Sequence, residues 1–387
     1  MACTCISTML VRMSNKMAAG PQVVLLDAAA LAATQREIFA GEAHLEAADS
    51  RLLEEANWAM TAGPFSVLEK EADPPSGDKR DYMSLAPYWW PDPQDSEAPY
   101  QRRDGQINKE GAPYDRTAVD RMCAAVDTLA LAYYLSELED FADHAALLLR
   151  TWFLDEITGM KPHLRYGQAI LGTCQGRGQG IIDTTPFSGL LDSVGLLAGA
   201  AAWTTADAAD LAAWMETYLD WLLESSHGRE EAARTNNHGT WYDVQVSRIA
   251  LFVGRADTAG QILADRGQRR LGQQLGAAGD QPLELGRSRS LEYCSMNLLG
   301  LFDLARIGTL SGVDLWAGGE IERAFDWLLQ HALEEESWPG EQIVEFDRQR
   351  LVPLLRRGAL QFNHDRARGH LEKLPGAAAD RSALLYR

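Results

Sequence analysis

Positive charge is scarce in this chain. Across 387 residues, 36 Lys and Arg stand against 55 Asp and Glu, giving a formal charge of −19 and a pI near 4.8. That balance argues against nucleic acid as the partner, because phosphate binding depends on clustered cations. An anionic ligand remains admissible if a cleft is locally basic. Cysteine is sparse too: Cys3, Cys5, Cys123, Cys174 and Cys294 form no CxxC pair and have no zinc-like spacing, so they read as free thiols. The eight histidines are scattered and include no HExxH, so no metal and no cofactor is expected. No run reaches the roughly eighteen apolar residues of a membrane span, and strand-like alternation is nearly absent.

What remains is helix. The apolar fraction of 46% can fill a sizeable core, and apolar residues recur at three and four spacing over a series of segments. These run from Val24 to about Ala40, Ala47 to Met60, Thr117 to Tyr134, Leu138 to Phe153, Phe187 to Trp203, Ala206 to Leu223, Trp241 to Gly254, Asp257 to about Leu275, Ser290 to Ile307 and Glu320 to Leu333. Two irregular intervals interrupt them, Leu68–Asp115 and Thr158–Thr185, and intervals of that length inside a domain usually carry function. Serial antiparallel helices without a fixed sequence repeat predict an all-α fold, an α/α toroid of helical hairpins with long loops lining a cleft. The expected limits are an N-terminal extension over 1–21, the toroid over 22–357 and a charged, partly helical tail over 358–387. Arg12 and Lys16 before VVLLDAAALAA resemble a signal peptide only loosely, because Asp27 breaks the run and Gln35, Arg36 and Glu37 continue it as an amphipathic helix.

Two polar clusters stand out from this background. NNHGTWYD, Asn236 to Asp243, reads as a loop between helices. ELGRSRSLEYCSMN, Glu284 to Asn297, opens another helix and supplies Arg287, Arg289 and Tyr293. Together Asn237, His238, Arg287 and Tyr293 suit the breaking of a polyuronate by β-elimination. The proton beside an ionised carboxylate is scarcely acidic, so amide donors and a guanidinium must first neutralise that carboxylate. A phenol can then take the C5 proton and return it to the departing C4 oxygen when both lie on one face; His238 either supports that phenol or is itself the base.

Five blocks in order, DYMSLAPYWWPDP, PYQRRDGQIN, GIIDT, NNHGTWYD and QPLELGRSRSLEY, resemble the alginate-lyase-domain polysaccharide lyases. The likeness spans roughly Val24 to Ala332 and is to the branch of alginate and glucuronan lyases with an α/α-barrel fold. It implies that Asn237, His238, Arg287 and Tyr293 form the catalytic group, that the tryptophan block lines the sugar cleft, and that the protein is secreted or periplasmic.

The expected sugar contacts are Tyr82, Tyr88, Trp89, Trp90, Arg102, Arg103, His163, Tyr166, Gln168, Asn236 and Arg289. The expected partner is an anionic polysaccharide, mannuronate-rich alginate first and glucuronan second, bound by a monomer. A uronyl hydrolase using Asp183 and Asp243, or a toroid that binds sugar without cleaving it, are the rival readings. GRGQG, Gly176 to Gly180, suggests a phosphate cradle only superficially, since no GK[ST] follows.

Overall fold

The computed structural model describes residues 20–95, 98–333 and 338–387; Cys3, Cys5, Arg12 and Lys16 lie outside them. Asp27 opens α1 (Ala28–Ala40) by accepting from the N–H groups of Ala29 and Ala30, and Gly41 closes it at φ 76°. Then come α2 (Glu46–Ala59), α3 (Asp115–Ser136) and α4 (Glu139–Leu149), the last running into a π turn at Arg150–Leu154. After α5 (Phe187–Leu196), a reciprocal Thr204–Asp207 capping box starts α6 (Thr205–Glu224). The series continues with α7 (Ser226–Ala232), α8 (Asn237–Phe252), α9 (Ala256–Gln274), short α10 (Pro282–Leu285), α11 (Ser290–Leu310) and α12 (Glu320–Leu333). It ends with α13 (Val352–Gln361), α14 (Asp365–Lys373) and α15 (Ser382–Leu385).

Contacts run from α3 to α5, from α5 to α8 and from α8 to α11, while α4, α9 and α12 back α3, α8 and α11 in turn. This is an α/α toroid with an inner and an outer layer. The apolar core forms two clusters that meet at α8: Tyr242, Val246 and Ile249 belong to one and Val244 to the other. A helix buried on both sides must satisfy its polar side chains internally. Asp243 accordingly pairs with Arg270 and Arg266, Gln245 Oε1 accepts from Thr184, and Arg248 pairs with Asp192 at 2.7 Å.

Asp192 also anchors the N-terminal strap. Its buried carboxylate accepts from the backbone N–H groups of Val24, Leu25 and Leu26 at 2.8–2.9 Å. At the other end of the chain, residues 358–387 sit on the first helices: Leu384 is buried in the cluster that holds Leu31, its carbonyl accepts from Thr34 Oγ1, and Arg381 pairs with Asp127 at 2.9 Å. Others of its charges pair in the same way with the rest of the chain, Arg366 with Asp326 and Arg387 with Glu37.

The structure departs from the sequence reading in three places. The segment expected as helix from Phe187 to Trp203 stops at Leu196, leaving a turn before Thr204. The irregular intervals contain β1 (Met83–Leu85), β2 (Trp89–Trp90), β3 (Gln101–Arg102) and β4 (Tyr166–Ala169); β1 pairs in parallel with β4, and β2 with β3 antiparallel. Strands of two to four residues are too short for alternation to register. Most consequential, NNHGTWYD is no loop: Asn236 is the N-cap residue and Asn237 the first residue of α8.

Candidate active site

The first turn of α8 is held by a buried carboxylate. Glu284 of α10 accepts from the Asn237 backbone N–H and from Asn237 Nδ2, both at 2.7 Å. A carboxylate at a helix N-terminus meets both free N–H groups and the positive end of the dipole. Burial pushes the Glu284 pKa up, and the two Asn237 bonds oppose that shift. Asn237 is fully buried, and its Oδ1 has no partner among the described residues. One residue on, His238 Nδ1 lies 2.5 Å from Oε1 of buried Glu231 on α7. That bond assigns the Nδ1 proton and leaves Nε2 as the ring's second functional nitrogen.

Asp104, just beyond β3, fixes the opposite wall. It accepts from Arg287 Nη2 at 2.7 Å and Nε at 3.1 Å, and from Ser288 N–H and Oγ at 3.1 and 3.0 Å. Burial raises the Asp104 pKa, but the Arg287 and Ser288 bonds more than reverse this and hold it well below the usual range. The Arg287 guanidinium carbon lies 3.9 Å from the centre of the Tyr293 ring, and the Tyr293 hydroxyl is hydrogen-bonded to that of Tyr88. Burial, with the neighbouring Tyr88, raises the Tyr293 pKa well above its ordinary value, and Arg287 pulls against it. Tyr293 therefore rests as a neutral phenol.

Asn237, His238, Arg287 and Tyr293 line one cleft of about 470 Å³, together with Asn236, Tyr88, Trp89, Arg102, Gln168 and Arg289. Among the described residues six arginines border it, Arg102, Arg116, Arg177, Arg234, Arg287 and Arg289, against one lining carboxylate, Glu292. Five of the six already face a carboxylate, Arg102 and Arg287 facing Asp104, Arg116 facing Asp183, Arg234 facing Glu230 and Arg289 facing Glu292, so what this acidic chain gathers at the concavity is guanidinium donors. Part of that donor capacity is unspent: the buried Nε atoms of Arg177, Arg234 and Arg289 have no partner among the described residues.

Five expected sugar contacts lie elsewhere. In β2 successive side chains face opposite ways, so Trp89 lines the cleft while Trp90 turns outward. There its indole N–H donates to the Gln106 carbonyl and Arg103 lies over its ring at 5.4 Å. Tyr82 is wholly buried and donates to Asp183, and Tyr166 is buried among Met83, Leu85 and Ala169. His163 pairs with Asp81 at 3.3 Å, away from the cleft. The carboxylates of the hydrolase reading are also committed. Asp183 accepts from Tyr82, Ser84 and Gln168 and lies 3.3 Å from Arg116, and Asp243 is held by Arg266 and Arg270.

Glu231, Glu284, Asp104, Arg116, Arg177, Gln179 and Arg234 were not singled out by sequence. Arg177 and Gln179 belong to GRGQG, the run that resembles a phosphate cradle only superficially; both line the cleft. Gly180 seats that loop, since a Cβ there would come within 2.5 Å of the Gly167 backbone. Gln168 holds Arg177 Nη2 at 2.7 Å from a left-handed backbone, φ 48°, a strained conformation for a non-glycine residue.

Residues 66–338 match the family model described as Alginate lyase. Among solved structures the chain is similar to an alginate lyase from Bacteroides ovatus, with a TM-score of 0.89 and 34% identity over 95% of this chain and 99% of that one. It is more distantly similar to alginate lyase A1-III from Sphingomonas species A1, with a TM-score of 0.49 and 15% identity over 87% and 94% of the two chains. No curated protein matches.

Proposed function

Since the chain belongs to the alginate lyase family and is a polysaccharide lyase, we propose that it cleaves β-1,4-linked polyuronate, mannuronate-rich alginate first, by β-elimination. The observation that carries this reading is one arginine-lined cleft bordered by Asn237, His238, Arg287 and Tyr293. A substrate bearing one carboxylate per sugar matches such a wall, and a neutral or cationic glycan does not.

In this reading Asn237 and His238 meet the carboxylate of the sugar being cleaved, and the surrounding guanidiniums neutralise it, so that charge arriving from C5 has somewhere to rest. Glu284 and Glu231 hold the amide and the imidazole in place. In mannuronate the C5 proton and the C4 oxygen lie on one face; there Tyr293, once its phenolic proton has been released to solvent, takes the C5 proton as the phenolate and returns it to the departing C4 oxygen. Burial opposes the phenolate this requires, and Arg287 over the ring favours it. Where the two bonds lie on opposite faces, His238 Nε2 is the remaining base.

The test is incubation with polymannuronate, polyguluronate and glucuronan while following the ultraviolet absorbance of the new C4=C5 double bond. Polymannuronate should be the best substrate, and Tyr293→Phe should abolish the signal with the fold intact. Reducing ends without that absorbance would mean hydrolysis, and a fully active Tyr293→Phe would remove the phenol from the reaction.

A further inference from the structure

A second concavity, about 400 Å³ in volume, lies beside the cleft and is lined by Arg165, Trp221, Glu224, Ser225, Ser226 and His227. Its floor is built. Trp221 stacks on Tyr218 at 6.0 Å with 9° between the ring planes, and Tyr218 is wholly buried with its hydroxyl bonded to Thr184. His163 and His227 flank the same indole at 6.3 and 6.2 Å. Arg165 is exposed, and its guanidinium has no carboxylate partner among the described residues. Among the described residues the carboxylate lining the groove, Glu224, is exposed to solvent, and Glu230 accepts from the Gly178 N–H in the adjoining wall.

Groove and cleft share a wall. The loop that sends Arg177 and Gln179 into the cleft presses its glycines on the groove side. A Cβ on Gly176 would lie 2.1 Å from the Arg165 carbonyl oxygen, and one on Gly178 would lie 2.8 Å from that of His227. His227 and Glu231, the residue that holds His238, are both on α7, four residues or about 6 Å apart along the axis.

Building on the polyuronate reading above, we propose that this groove is an outlying uronate subsite. An indole held from behind offers an apolar platform to a pyranose face, and a free guanidinium grips the carboxylate of the same sugar. A chain seated at His238 and Tyr293 passes over Arg177 and Gln179 and lays a distal uronate on Trp221 and Arg165. The enzyme then holds long chains better than short ones without changing the chemical step.

The experiment uses Arg165→Ala and Trp221→Ala in the full chain, with steady-state kinetics on long polymannuronate and on the shortest oligomer the enzyme cleaves. Expected is a rise in KM of about tenfold on the polymer, with kcat unchanged and the shortest oligomer unaffected. Polymer KM within twofold of the parent in both variants overturns the proposal, as does an equal loss on short and long substrates. If Trp221→Ala does not fold, exposed Arg165→Ala decides alone. Calorimetric binding of polymannuronate to Tyr293→Phe, with and without Arg165→Ala, separates this proposal from the catalytic one. Arg165-dependent binding by a protein that never cleaves polyuronate supports the groove and refutes the activity; cleavage with Arg165-independent binding does the reverse.

Discussion

Replacing Glu231 by Gln exchanges one oxygen for an amide nitrogen and removes a buried charge from the back of His238. Glu231 is 1% exposed; one of its oxygens lies 2.5 Å from Nδ1 and the other has no partner among the described residues. Hydrogen bonds to a charged group contribute about 1.5–3 kcal/mol and neutral ones about 0.5–1.5. The exchange therefore weakens the hold on the ring by roughly 1–1.5 kcal/mol, about tenfold in rate at 1.36 kcal/mol per decade. The amide can also donate to Nδ1 and so select the tautomer with its proton on Nε2, which extends the expected fall in kcat to about ten- to a hundredfold. Stability should move the other way or not at all, because the second carboxylate oxygen is buried without a partner among the described residues and the hydrogen bond to the ring can still be made. Steady-state rates on polymannuronate and urea unfolding of the same preparations check both halves. An unchanged kcat, or a loss of activity that tracks a loss of stability, would refute the argument that Glu231 acts by orienting the imidazole.

Asp192→Ala leaves Arg248 buried without its partner and frees the strap at Val24–Leu26, so the urea midpoint should fall by the equivalent of about 3–5 kcal/mol. Gly180→Ala drives a methyl into the Gly167 backbone; calorimetry should show a loss of about 1–3 kcal/mol, and displacement of Arg177 and Gln179 should raise KM. Hydrogen bonding to Arg150, then to Thr204, holds the Asp207 pKa below its ordinary 3.8 despite partial burial. Its stabilisation is therefore complete above that value and lost as pH falls through the depressed folded one. Asp207→Asn should be less stable than the parent near neutrality and lose stability less steeply below about pH 4, measured by urea midpoints across that range.

The helices could be read along the chain because their apolar faces recur within a few residues, and most observed limits fall within a few positions of the expected ones. The end of α5 was misjudged because Ala and Leu continue past Leu196 through a turn. The start of α8 was misjudged for a different reason: Asn, His and Gly have poor helix propensity, and Glu284, 47 residues away, supplies the acceptor that lets them begin one.

The quartet Asn237, His238, Arg287 and Tyr293 was visible as residue chemistry in ordered motifs. Its supports were not, since Glu231, Glu284 and Asp104 are ordinary acids until folding places each beside its partner. Strand pleating, which no local composition records, separated Trp89 from Trp90. The same holds for the guanidiniums: an acidic chain lines one cleft with arginines because Arg102, Arg116, Arg177, Arg234 and the Arg287–Arg289 pair, widely spread in sequence, converge there. Short-range periodicity is written residue by residue and survives without context, whereas convergence of side chains and burial of a carboxylate exist only once distant segments have packed.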